Sequence, residues 1–229
     1  MVDESGGYVV NTPVYTSADN VQSRHVNAVI DEKGNLTADI YTNTKGIKQE
    51  LAHYLMHEMD KDEREKYLNK MLNLPTYAVE KFEYKETRNI LPEMSEYLHI
   101  SSSDYATLSG KRLFISPNLF NKSYYKFSDT VDRKYDIVTH ESFKEIDSIQ
   151  ITIPSGYVPE AMPKNVSFAG KFGKYSMDCK MENNKIVFYR YNEQSAGRYP
   201  KTDFNGLAKF YNDIYKADRA KIVFIKKEG

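Results

Sequence analysis

The stretch Ser148-Ile-Gln-Ile-Thr-Ile153-Pro-Ser-Gly156 opens the segment on which the fold turns, Asp147–Tyr191. Ile149, Ile151 and Ile153 alternate with Ser148, Gln150 and Thr152, the two-residue period of a strand with one buried and one wet face. Pro154 removes a backbone donor and ends the strand, and Ser155-Gly156 supplies the turn. Further on, Tyr175, Met177, Cys179 and Met181 share one side of a second strand. Asn183-Asn184 suits the positive φ angles of a tight hairpin, and Lys185–Tyr191 returns. A two-residue turn would set Met181 opposite Ile186 and Cys179 opposite Phe188, so the apolar faces agree. The segment specifies antiparallel sheet and carries no evident chemistry.

Working outward, Val26, Ala28 and Ile30 alternate, Asp31-Glu-Lys-Gly-Asn35 turns, and Leu36, Ala38 and Ile40 alternate back, which predicts a hairpin. Residues 1–20 read as an extended lead-in, with Asn11-Thr-Pro13 disfavouring helix. After Gly46 the period lengthens. Leu51, Leu55 and Met59, with Tyr54 beside them, predict a helix with a narrow apolar stripe. The charge run Asp60–Lys66 predicts a second helix, supported by the pairs Asp60–Arg64 and Asp62–Lys66, with Tyr67, Leu68, Met71 and Leu72 buried. Strands are expected over 78–88 (Ala78, Phe82 and Tyr84 on one face), 95–100, 111–115 and 135–139. Thr202 or Asp203 would cap a late helix burying Leu207, Phe210, Tyr211 and Ile214, and Ile222–Ile225 reads as a buried final strand. The expected fold is mainly β, an antiparallel sandwich-like architecture of nine or ten strands, two short helices in the N-terminal half and one near the C-terminus. The expected organisation is a lead-in (1–20), a β-rich region with two helices (21–125) and a C-terminal antiparallel β domain with one helix (126–229).

Bulk properties narrow the function. Lys+Arg and Asp+Glu both number 32, so no net charge draws the chain toward phosphate, which argues against nucleic-acid binding. There is one cysteine, Cys179, so no intrachain disulfide can form. No apolar run is long enough to span a membrane, and the N-terminus lacks the regions of a secretory signal. With no Trp, 19 Tyr and 11 Phe, the aromatic load falls on tyrosine, which suits strands with one wet face.

Candidate chemistry is sparse. His53 and His57 stand four apart on the first helix and could chelate zinc, but His-Tyr-Leu-Met-His lacks the Glu that a zinc protease uses as base, and a third ligand must come from elsewhere. The competing reading is a solvated helix face. Ser123-Tyr-Tyr-Lys126 matches the Ser-x-x-Lys of penicillin-binding enzymes, but in a loop-like stretch without the partner Lys-Thr-Gly. Cys179 could act with His25, His99 or His140, yet its strand position makes it a small core residue. Carboxylate pairs (Glu93 with Glu96; Glu141, Glu145 and Asp147) carry no information without geometry. No Gly-rich phosphate loop, Gly-x-Ser-x-Gly elbow or Cys-x-x-Cys pair is present. Tyr124, Tyr125, Tyr189, Tyr191 and Tyr199 could form a stacking surface for sugars or a protein, against the alternative of tyrosines on half-buried strands. No cofactor is indicated.

A longer pattern runs Ile151-x-Ile153-Pro154-x-Gly156-Tyr157-x-Pro159-Glu160-x-x-Pro163, then Phe172-Gly173-x-Tyr175, Arg190, Gly197-x-Tyr199-Pro200, Phe210 and Lys216-Ala217-Asp218-x-x-Lys221-Ile222-Val223. It resembles the C-terminal domain of uncharacterised function that follows a transglutaminase-like core in exported bacterial proteins. Tyr8-Val-Val-Asn-Thr-Pro13 resembles the segment leaving that core, Asp31–Asn35 the hairpin after it and Ser109–Leu113 a later turn. The resemblance implies that a Cys-His-Asp triad would lie in the core, upstream of Met1, and that no family catalytic residue is present here. It implies an accessory module packing on that core, in an exported, periplasmic or cell-surface parent from which this chain is a fragment. The alternatives are a carbohydrate- or peptide-binding sandwich using the tyrosines and a metal-dependent hydrolase built on His53 and His57.

Overall fold

The structure is a computed structural model and describes residues 2, 3, 6, 7, 9, 14–128 and 133–227. The expectations for Asn11–Pro13 and most of Tyr8–Pro13 fall outside the described residues. In chain order the elements are β1 (Val2–Asp3), β2 (Gly6–Gly7), β3 (Val21–Ile30), β4 (Leu36–Lys45), α1 (Glu50–His57) and α2 (Lys61–Met71). Then come β5 (Tyr77–Thr87), β6 (Glu93–Ser102), β7 (Thr107–Ser109), β8 (Arg112–Ile115), β9 (Ile137–Thr139) and β10 (Phe143–Thr152). The chain closes with β11 (Tyr157–Ala161), β12 (Val166–Gly170), β13 (Gly173–Glu182), β14 (Lys185–Gln194), β15 (Gly197–Tyr199), α3 (Phe204–Ala217) and β16 (Ile222–Lys226).

Eight strands form one sheet in the order β12-β13-β14-β10-β3-β4-β6-β5, and four form another, β11-β16-β8-β7. The chain is mainly β with three α-helices among the described residues, as its periodicity predicts. The expected antiparallel pairing holds for every strand pair but one. β10 pairs with β3 in parallel, Lys144 beside Val21 through Thr152 beside Val29, while every other pairing is antiparallel. Strands from both sides of residue 125 therefore meet in one sheet. The β13–β14 hairpin has the anticipated register, Met181 opposite Ile186 and Cys179 opposite Phe188, with Asn183 at positive φ.

Cross-strand rows explain how the sheet is used. One row runs Cys179, Phe188, Ile149, Val26, Ile40, Leu98 and Phe82 across seven strands and is wholly apolar. Two residues along every strand, the same face reads Met177, Arg190, Asp147, Arg24, Thr42, Glu96 and Tyr84. The row beyond that reads Tyr175, Asn192, Glu145, Gln22, Thr44, Met94 and Glu86. The inner face thus passes from hydrophobic to polar and ionic within one strand length. The outer face leaves Val29, Tyr41 and Tyr189 exposed. The helices and the second sheet pack on the inner side, where Leu113, Ile115, Ile222, Phe224 and the α3 residues Leu207, Phe210, Tyr211 and Ile214 join one apolar cluster with the large sheet.

Three local expectations are corrected. On α1, Leu55 is buried and Met59 packs on the core as expected, but Ala52 takes the inward place expected for Leu51, and Leu51 and Tyr54 are exposed. On α2, Asp60 serves as N-cap in a capping box with Glu63, and Arg64 donates to the Leu55, Met56 and Met59 carbonyls at 2.6–3.0 Å. Arg64 thereby closes the end of α1 instead of pairing with Asp60. On β5 a bulge between Val79 and Lys81 shifts the phase, so Val79 and not Ala78 joins Phe82 and Tyr84 on the inner face. No helix among the described residues is long and apolar enough to cross a membrane.

Candidate functional site

The ionic rows converge on Arg190, whose side chain is 2% exposed. Its Nε donates to Asp218 Oδ1 at 2.8 Å and its Nη2 to Asp218 Oδ2 at 3.3 Å. Its Nη1 reaches Glu145 Oε2 at 3.2 Å and Asp147 Oδ2 at 3.3 Å. β14 and β10 supply Arg190, Glu145 and Asp147 at adjacent register positions, and Asp218 arrives from the end of α3. Neutral donors complete the shell. Tyr175 Oη donates to Asp218 Oδ1 at 2.8 Å, Asn118 Nδ2 to the same atom at 3.1 Å, and the Ser123 amide to Oδ2 at 2.9 Å. Asn121 Nδ2 donates to both Asp147 oxygens at 2.8 and 2.9 Å. Arg24 stands 4.0 Å from Asp147, and Lys48 lies 2.9 Å from Glu145. Three cations face three carboxylates, so the cluster balances.

These environments separate two neighbouring carboxyls. Burial pushes against ionisation of Glu145, but Lys48 and Arg190 outweigh it and hold its pKa down at about 2. Burial dominates at Asp147 and raises its pKa despite Arg24 and Arg190. The guanidinium of Arg190 is itself locked in the charged form, because Asp218 and Glu145 overcome its desolvation.

Above this cluster the segment 120–125 crosses the sheet and leaves a groove of about 300 Å³. Arg24, Glu145, Arg190 and Asn192 line its floor, and Phe120, Lys122, Tyr124 and Tyr125 its rim. Asn192 is 3% exposed, and its Oδ1 has no hydrogen-bond partner among the described residues. Burial and the nearby Arg219 push the Lys122 ammonium pKa down, with Asp218 opposing. Tyr125, Phe143 and Gln194 also border an adjoining recess of about 360 Å³, where Phe127, Phe204 and Tyr211 form an aromatic wall. An aromatic rim over a polar floor can stack a flat or apolar group while its polar atoms bond below.

The five anticipated tyrosines divide. Tyr124 and Tyr125 are 76% and 59% exposed and rim the groove. Tyr189 and Tyr191 alternate with the inward Arg190 and Asn192, so they occupy the opposite face of the sheet. Tyr199 packs against Phe172 with ring centroids 4.9 Å apart, and its hydroxyl donates to the Lys171 and Ser195 carbonyls at 3.2 Å. No single five-tyrosine surface exists.

The other candidates are placed as follows. Cys179 is buried, and its thiol pKa is pushed up to about 12 by that burial. Ser123 Oγ accepts from the Tyr125 amide at 3.3 Å, while Lys126 Nζ sits 5.7 Å from the Tyr215 ring centroid. Each side chain of the Ser-x-x-Lys motif thus faces its own neighbour. His53 and His57 do come together, with ring centroids 4.4 Å apart, and His57 Nε2 lies 3.4 Å from Glu86 Oε2 on β5. Sequence spacing found the pair; the carboxylate came from a strand 29 residues onward and had no local signal.

Residues 111–224 match the family model of a domain of unknown function with a solved structure, DUF3858. The matched segment contains Tyr175, Arg190 and Asp218, three residues of the long sequence pattern described above, and the fold brings all three into one buried cluster. Arg24 and Lys48, which complete the charge balance, lie outside it. Among solved structures, a crystal structure from Parabacteroides distasonis, named as a "putative protease", is similar at 5% identity and a TM-score of 0.41, covering 92% of this chain and 100% of that one. No curated protein matches the chain.

Proposed function

We propose that the chain is a non-catalytic accessory and interaction module of an exported transglutaminase-like protein, and that the groove under Tyr124 and Tyr125 receives a segment of that protein's core. The observation that carries this reading is the groove itself. Its rim carries the exposed rings of Tyr124 and Tyr125, and its floor is a charged cluster already bonded within the chain, beside a buried Asn192 oxygen that has no hydrogen-bond partner among the described residues. Arg190, Glu145, Asp147 and Asp218 spend their hydrogen bonds within the cluster and on Lys48, Asn121 and Tyr175, which suits a rigid seat better than a proton-transfer centre. The resemblance to regions that follow transglutaminase-like cores supports the choice of partner, and the match to a domain of unknown function is compatible with an accessory role.

The test adds the upstream core of the parent protein as a separate chain and measures its affinity. Truncating a central aromatic anchor costs about 1–2 kcal/mol, roughly tenfold or more in affinity. Tyr124→Ala with Tyr125→Ala should weaken binding by that factor, and Tyr189→Ala, on the opposite face, should not. Core binding that ignores the groove substitutions would refute the reading.

A second reading, a carbohydrate- or peptide-binding module, rests on the same meeting of Tyr rings with Arg190 and Asn192. It predicts glycan-array or peptide-array hits that disappear in the double Tyr variant while the core does not bind at all.

A further inference from the structure

The polar row that carries Glu145 ends, at the edge strand β5, on Glu86. Glu86 shares its face of β5 with Tyr84 and Phe82, so its carboxylate points to the inner, helix-covered side of the sheet, and its side chain is 14% exposed. Directly over it stand the two imidazoles of α1. They are one helical turn apart, and the turn sets both rings on the same side of the helix. One ligand atom from each of His53, His57 and Glu86 lies within 4.8 Å of the other two.

We propose that His53, His57 and Glu86 form a binding site for a first-row divalent transition metal of the zinc class. Two imidazole nitrogens and one carboxylate oxygen are the borderline donors such an ion prefers, and hard cations that demand all-oxygen shells are disfavoured. Bond lengths of about 2.0–2.2 Å in a tetrahedral shell place ligand atoms roughly 3.3–3.6 Å apart. His57 Nε2 and Glu86 Oε2 already stand at that spacing, 3.4 Å apart, so the closing movement falls on His53.

One group competes. Arg88 Nε donates to Glu86 Oε2 at 3.1 Å, but the Arg88 side chain is 81% exposed and can swing into water when a dication takes the carboxylate. Three protein ligands leave a coordination position facing solvent. The Glu of a zinc-protease helix is missing beside His53, where Tyr54 stands, so the site is one that ties α1 to the edge of the large sheet.

The site rests on observations independent of the groove. The test titrates the tag-free full chain with zinc chloride by calorimetry and follows its melting temperature. The expected result is saturable binding of one zinc ion per chain and a raised Tm. His57→Gln and Glu86→Gln should each weaken binding at least tenfold, and His99→Gln, on the other face of the sheet, should leave it unchanged. Cobalt(II) should give the intense visible bands of a four-coordinate ion, lost in the same two variants. Absence of saturable binding would overturn the proposal. So would binding that survives Glu86→Gln intact, because the helix pair alone would then suffice and His57–Glu86 would be only an ion pair.

Discussion

Replacing Arg190 by Met tests whether the buried cluster holds the two ends of the 111–224 segment together. The substitution keeps an unbranched stem that reaches about as far as Nε and removes the guanidinium. Asp218, 0% exposed, would then keep only the neutral donors of Tyr175, Asn118 and Ser123. Asp147, 1% exposed, would keep Asn121 and an Arg24 contact of 4.0 Å. Glu145 would fare best, since Lys48 stays 2.9 Å away. Breaking a buried ion pair from one side costs about 3–5 kcal/mol, because the remaining charge is stranded. At roughly 2–4 °C per kcal/mol for a chain of this size, Tm should fall by about 6–20 °C. Urea unfolding followed by far-UV circular dichroism gives the free energy; the chain has no Trp to report otherwise. Adding Asp218→Asn to Arg190→Met should recover part of the loss, since it removes the stranded charge. A single variant within about 1 kcal/mol of the parent, or a double variant whose losses simply add, would refute the account.

Two further outcomes follow from the same region. Glu145 has a folded pKa of about 2, below its ordinary 4.5, so it contributes stability that is present above about pH 4.5 and lost as the pH falls toward 2. Asp147, shifted upward, works in the opposite sense, so Glu145→Gln should flatten the acid limb of a stability–pH curve and Asp147→Asn should not. Gly173 sits at φ +145, where an added Cβ would overlap the Glu193 carbonyl oxygen, so Gly173→Ala should cost at least about 1–3 kcal/mol by urea denaturation.

The strands were legible wherever one face is dry and the other wet. Ile149, Ile151 and Ile153 alternate because β10 lies mid-sheet under the helices, and the β13–β14 hairpin is local enough for its turn to set its register. The errors arose where something outside the local window decides the phase. The β5 bulge moved Val79 inward, and the α1 stripe follows the sheet beneath it, which takes Ala52 and leaves Leu51 in water. The parallel β3–β10 junction leaves no mark in either strand, because periodicity gives a strand's face and not its neighbour. The site was half visible. Tyr175, Arg190 and Asp218 stood out as members of a pattern, but their meeting depends on α3 returning over the sheet. Sequence order carries no sidedness across different elements, so it cannot separate the five tyrosines by face. Tyr124 with Tyr125 and Tyr189 with Tyr191 proved to face opposite ways.

The contact between β3 and β10 also sets a timetable for biosynthesis. Val21 and its partner Lys144 are separated by more than half the chain. At about 5–20 residues per second, β10 emerges roughly 6–25 s after β3. Through that interval the β3-β4-β6-β5 half can assemble from its own antiparallel pairings, but its β3 edge stays open, with unpaired amides and carbonyls flanking Val26, Ala28 and Ile30. A nascent chain holding such an edge is a substrate for holdase chaperones and a template for pairing with its neighbours on a polysome. Slow translation through residues 103–142 would lengthen that exposure, and fast translation would shorten it.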